Sequence, residues 1–113
     1  MKMSKILLEE QRVVLNLDPG VCRFKTKIII WSENGKIKCE INSGCKHVKD
    51  FGKEIETCEI IEALHMPYSE NRVYLVGGRT LKHASCPIPM AVLKGFEVAA
   101  GLGLKRPVSL TFE

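Results

Sequence analysis

The sequence predicts an α+β fold: a mainly antiparallel sheet with two or three helices packed on one face. Three observations predict it. Strand-like stretches come first, helical periodicity follows, and one alternating stretch closes the chain; runs of strands followed by runs of helices suggest α+β. The strands each carry one polar face, which suits an antiparallel sheet better than a parallel one. Asn34-Gly35 joins two of them, and that dipeptide is the strongest short hairpin signal.

Residues 1–12 are polar around Ile6-Leu7-Leu8 and suit a helical turn or a strand lead-in. Val13-Val14-Leu15-Asn16-Leu17 reads as a strand, and Asp18-Pro19-Gly20 as a turn with Pro and Gly in type II order. Over residues 24–31, Phe24, Thr26, Ile28 and Ile30 alternate with Lys25 and Lys27. Over residues 36–41, Ile37, Cys39 and Ile41 share one face, and Lys36, Lys38 and Glu40 the other.

Val48, Phe51 and Ile55 then have helical spacing. A cap at Asn42 or Ser43 puts Cys45 in the first turn, and Gly52 is expected to break or bend this helix. Thr57-Cys58-Glu59-Ile60 looks like the start of a short helix that Pro67 ends. Residues 73–76 suit a strand or a helical turn, and Gly77-Gly78 reads as a breaker.

The longest helix is expected over residues 87–100. Ile88, Val92, Phe96 and Ala99 fall on one face, with Leu93 and Ala100 beside them. Pro87 suits the first helical position, where its missing N–H costs nothing. Gly101 is a C-terminal stop. Cys86 is then the N-cap or next to it, where the helix dipole favours thiolate over thiol. Residues 108–112 alternate as a final edge strand.

At 113 residues the chain is expected to form a single domain over 1–113. Its formal net charge is +4, but Lys and Arg alternate with Glu and Asp, so charge alone does not imply nucleic acid. No apolar run is long enough to span a bilayer. The apolar cluster near the start is too short for a signal segment, so the reducing cytoplasm is the expected compartment. Five cysteines, an odd number, argue against a disulfide framework and toward core, metal or redox use.

The five divide by position. Cys39 lies on an apolar strand face and Cys58 beside Ile60 and Ile61, so both read as small core residues. Cys22 follows a Pro-Gly turn, Cys45 follows Ser43-Gly44, and Cys86 follows Ser85 at another loop-to-helix junction. Element ends have free backbone N–H groups and commonly hold metals or nucleophiles. The three are too far apart for a zinc-finger pair, so only the fold can bring them together. His83 lies three residues before Cys86 and is preferred to His47 as a fourth ligand, because the Ala84-Ser85 link can fold back. His65 has no nearby thiol and reads as structural.

The order Pro-Gly-x-Cys, hairpin, Ser-Gly-Cys, about forty residues, Ser-Cys-Pro resembles the TSCPD domain. Its layout is similar to the NifU/IscU-type iron–sulfur scaffold. It most closely resembles a family of uncharacterised small proteins of anaerobic prokaryotes. Gly20-Val21-Cys22-Arg23-Phe24-Lys25-Thr26 and His83-Ala84-Ser85-Cys86-Pro87-Ile88-Pro89 carry that likeness, which spans roughly residues 13–112. The resemblance implies Cys22, Cys45 and Cys86 as the three cysteines of the scaffold pattern. Phe24 stands where the scaffold has an acidic residue, Ser85 where it has a histidine, and Ile88 where TSCPD has its aspartate.

Two readings follow. The first is a metal-site protein, an iron–sulfur scaffold or carrier or a zinc-holding relative. Its ligands are Cys22, Cys45, Cys86 and His83, its cofactor an iron–sulfur cluster or zinc, and its partner a protein in cluster or metal transfer. The alternative is a metal-free binding or regulatory module with a basic surface of Lys25, Lys27, Lys46, Lys49, Lys82 and Lys105 for an acidic partner or RNA. RNA is disfavoured because the aromatic residues look buried. An enzyme would need a third residue to orient Cys86 and His83, and none is identifiable. The oligomeric state is left open.

Overall fold

In the computed structural model, which describes residues 12–113, the strands pair as a meander. Strand β1 is Val13–Leu17, β2 Thr26–Glu33, β3 Lys36–Asn42 and β4 Thr57–Glu59. They form one antiparallel sheet in the order β1-β2-β3-β4. Helices α1 (Lys46–Glu54), α2 (Ile60–Ala63), α3 (Arg72–Thr80) and α4 (Ile88–Ala99) complete the α+β architecture, with one 3-10 turn at Tyr68–Glu70. The expectation for residues 1–12 lies outside the described residues, apart from Arg12. Among the described residues no helix is long and apolar enough to cross a membrane.

Alternation decides the faces of the hairpin. Thr26, Ile28 and Ile30 of β2, with Ile37 and Cys39 of β3, point into the core, as a period of two requires. Asn34 and Gly35 both have positive φ, 52° and 76°, which a two-residue hairpin turn demands. Phe24 falls outside β2, in the loop before it. Helix α4 lies on β1 and β2, α1 lies on β3, and α3 bridges α1 and α4. Phe51 and Phe96 are fully buried between these layers. Phe24, Tyr68 and Phe112 are exposed, so the expectation that the aromatics are buried holds for only part of the set.

Several features differ from expectation. Residues 57–59 form β4 and not a helix start. Three residues carry too little periodicity to declare a state, and the open edge of β3 decides it: Lys36 pairs with Glu59, Ile37 with Cys58 and Lys38 with Thr57. Lys38 Nζ donates to Thr57 Oγ1 at 3.1 Å. Only after Glu59, which caps α2 reciprocally with Glu62, does the chain turn helical.

Gly52 neither breaks nor bends α1, and Gly77 and Gly78 lie inside α3. A helical glycine costs roughly 1 kcal/mol relative to alanine, and at Gly52 and Gly77 close packing offsets that cost, while Gly78 faces open space. A Cβ on Gly52 would lie 3.3 Å from Ile41 Cβ, and one on Gly77 3.2 Å from Pro89 Cγ. Helix α3 is started by Asn71, whose Oδ1 accepts from the Val73 and Tyr74 N–H groups at 2.9 and 3.3 Å. Its Nδ2 donates to the carbonyls of Ala63 and His65. All four bonding directions of this buried amide are used.

Helix α4 starts at Ile88, one residue later than expected, with Pro87 as its N-cap. Its end is a Schellman motif. Gly101 takes φ 78°, its N–H donates to Val98 O, and Leu102 N–H donates to Glu97 O at 2.8 Å.

The expected closing strand over residues 108–112 is not formed. Alternation makes a strand only where an edge receives it. Among the described residues this stretch pairs with none, and Val108, Leu110 and Phe112 stand exposed.

Candidate functional site

The three junction cysteines stand on three loops that the fold ties together. Cys22 sits in a tight turn after β1. Asp18 Oδ1 accepts the Gly20 N–H at 3.0 Å, Gly20 takes φ 88°, and Arg23 N–H donates to Gly20 O at 3.0 Å. Arg23 itself has φ 63°, a left-handed conformation that few side-chain-bearing residues adopt. The thiol of Cys22 is exposed on this turn.

Cys45 is the N-cap of α1, and so precedes the first turn in which it was expected. Its N–H donates to Ser43 Oγ at 3.1 Å. Ser43 Oγ lies 3.0 Å from Thr26 Oγ1, which also donates to Phe24 O at 2.9 Å. The ring of Phe24 covers Gly44, where a Cβ would come within 3.1 Å of Phe24 Cδ1. Phe24 and the two hydroxyls therefore hold the loop of Cys22 against the loop of Cys45.

Cys86 directly precedes the N-cap of α4, and its own N–H donates to His83 O at 3.1 Å. Burial raises its pKa above the ordinary thiol value. The Ile88 N–H, at the open start of the helix, opposes that shift. The helix end thus acts on the sulfur in the expected direction, but desolvation outweighs it. Cys22 and Cys45 raise the same pKa by their charge. Cys45 and Cys86 also pack against the core.

The three thiols do not stand in a closed cage. Among the described residues no group of three or more His, Cys, Asp or Glu side chains is spaced to hold a metal ion. His83 is exposed and meets Cys86 through its backbone carbonyl, and His47 is half-buried in the first turn of α1.

Cys39 and Cys58 are buried on neighbouring strands. Burial, and then the charge of Cys58, push the Cys39 thiol up to about 12. Burial also raises Cys58, against the lowering effect of Arg72. Both behave as small core residues, although Cys58 occupies β4 and not a helix.

Charge is distributed unevenly around the junction set. Residues 20–26, 42–49 and 80–89 contain Arg23, Lys25, Lys46, Lys49 and Lys82 and neither Asp nor Glu. All five cations are exposed. These stretches therefore carry a basic excess, with Asp18 and Asp50 among the acids that flank them, and such an excess favours an approaching negative charge.

Sequence reasoning missed Thr26, Ser43 and Phe24 as the supports of the site. Ser43-Gly44 before Cys45 is the only local signal of them; the Thr26–Ser43 contact spans a hairpin and has no sequence signature.

The model of a family of unknown function (DUF6951) matches residues 13–112. No curated protein and no solved structure matches the chain.

Proposed function

The chain belongs to the DUF6951 family, and from its site we propose that it holds a soft metal, zinc or an iron–sulfur cluster, through Cys22, Cys45 and Cys86. The observation that carries this reading is the placement of the three thiols at element ends, with Phe24, Thr26 and Ser43 holding the loop of Cys22 against that of Cys45. Three thiols at the ends of three elements are a donor set for zinc or iron–sulfur. Bringing three thiolates together without a cation is unfavourable, and at Cys86 the charges of Cys22 and Cys45 add to the burial that already raises its pKa. A metal ion reverses that balance, because it accepts all three charges and releases their protons. His83 supplies the fourth group when its side chain turns inward about the Cys86–His83 backbone contact.

The resemblance to the TSCPD and NifU/IscU-type layouts supports the same reading. It also suggests a protein partner that delivers or takes the metal in the reducing cytoplasm. The basic excess of the three cysteine-bearing stretches fits an acidic partner. The same excess favours a metal-free module for an acidic protein as the second reading. The test is metal analysis and an absorption spectrum of protein purified without oxygen. Zinc near one equivalent, or iron with sulfide and thiolate-to-iron absorption, supports the first reading. Protein without metal that also fails to take up zinc or a reconstituted cluster sinks it and leaves the second.

A further inference from the structure

The outer edge of β1 and the stretch over residues 108–112 are each half of a strand pair. Strand β1 ends the sheet, and among the described residues nothing pairs with its outer side. Such an edge presents a row of open N–H and C=O groups and is a template for a further strand. A groove of about 670 Å³ runs along it between the sheet edge and α4. Leu15, Leu17, Met90, Gly95 and Val98 line it and make it largely apolar.

The stretch over 108–112 has the pattern that such an edge receives. Leu110 and Phe112 alternate with Ser109 and Thr111, and they are 80% and 96% exposed. The chain cannot simply fold this stretch onto its own β1. Leu104 to Val108 already form the far wall of the groove. The Schellman end of α4 and the packing of Gly103 against Glu97 fix the direction in which that wall leaves the helix. Residues 109–112 follow that wall, line no part of the groove and, among the described residues, stand unpaired and exposed.

We propose that this face is a homodimer interface, in which residues 109–112 of each chain add as a strand to β1 of a second copy. Strand addition uses main-chain hydrogen bonds for affinity and pockets for alternate side chains for specificity. Here Leu110 and Phe112 enter the groove beneath α4, and Ser109 and Thr111 stay in water. The charges agree. Arg12, Lys94, Lys105 and Arg106 rim the groove against one acid, Glu97, and Glu113 follows Phe112. Reciprocal exchange closes on a two-fold axis, so the pairing stops at two chains. A buried phenylalanine alone contributes ~150–250 Å². Two exchanged strands with the surface beneath them therefore reach the roughly 1,000 Å² that a specific interface needs.

The test is the oligomeric state of the full chain. Sedimentation equilibrium is run with reductant and chelator, so that neither a disulfide nor a bridging metal produces a dimer. At about 100 µM, well above a micromolar Kd, a dimer is expected. Leu110→Lys and Phe112→Lys should each weaken association at least tenfold. Neither changes the denaturation midpoint of the monomer, because these side chains lie outside the core. A chain that stays monomeric at that concentration overturns the proposal. So does a dimer that both variants leave intact, or slow amide exchange over residues 109–112 in a monomer. The proposal stands apart from the metal reading, since its readout needs no metal.

Discussion

Gly95 on α4 stands directly over Ile30 on β2. A Cβ at Gly95 would run into Ile30 Cδ1 and lie 2.8 Å from Leu15 Cδ1. The missing side chain sets how closely helix and sheet approach. That approach fixes the start of α4, and with it Cys86, relative to the sheet. Replacing Gly95 by Val should therefore cost about 1–3 kcal/mol through overpacking. Ile30→Val removes the colliding methyl, so the double variant should lose less than the sum of the two single losses. Chemical denaturation of the four proteins measures this, and strict additivity would show that the contact does not set the spacing.

Phe96 lies one residue further along α4 and is fully buried. Phe96→Ala should lower the unfolding free energy by about 3–5 kcal/mol, the range for a truncated core aromatic. A change below about 1 kcal/mol in a urea titration would mean that the ring is not held by the core as described.

The turn and faces of the hairpin were legible in the sequence because Asn34-Gly35 states the turn and Ile28, Ile30, Ile37 and Cys39 state the faces, while the bounds of β2 shifted by two residues. Strand β4 was not, because Thr57-Cys58-Glu59 is too short to show a period and is set by the edge of β3. Gly77 misled for a related reason: propensity sees a breaker, while the fold needs a close approach of α3 to Pro89. Of the site, the junction positions of Cys22, Cys45 and Cys86 could be read directly. The direction of the Cys86 shift could not, since it depends on how far α4 sinks into the core, and a sequence does not display that depth.

Metal content should separate the cysteines. Cys22→Ser, Cys45→Ser and Cys86→Ser are each expected to lose most bound metal while keeping the fold. Cys39→Ala and Cys58→Ala should keep full stoichiometry and lose only stability. Metal analysis beside a far-ultraviolet circular dichroism spectrum of each variant decides it. Loss of metal from folded Cys39→Ala or Cys58→Ala would move the site.

Alkaline pH should unfold the protein partly through Cys39. Its thiol is pushed from 9.0 up to about 12 in the folded chain. Below pH 9 the thiol is neutral in both states and its contribution is fully present. Above pH 9 the unfolded chain gives up its proton first, so stability falls until the folded thiol also ionises near 12. One such group contributes a slope of about 1.4 kcal/mol per pH unit. Cys39→Ala should flatten the stability profile between pH 9 and 11 by roughly that slope. Parallel profiles for the two proteins would contradict the shift.

Cys39 and Cys58 also give the molecule a clock for its own opening. An alkylating reagent added to the native protein meets Cys22 at once, because that thiol is exposed on its turn. It meets Cys39 and Cys58 only when β3 and β4 part, since both are buried between the sheet and the helices. The slow phase of labelling then measures how often the far edge of the sheet breathes. Mass spectrometry resolves the sites one by one, so the rate needs no added probe and no altered residue.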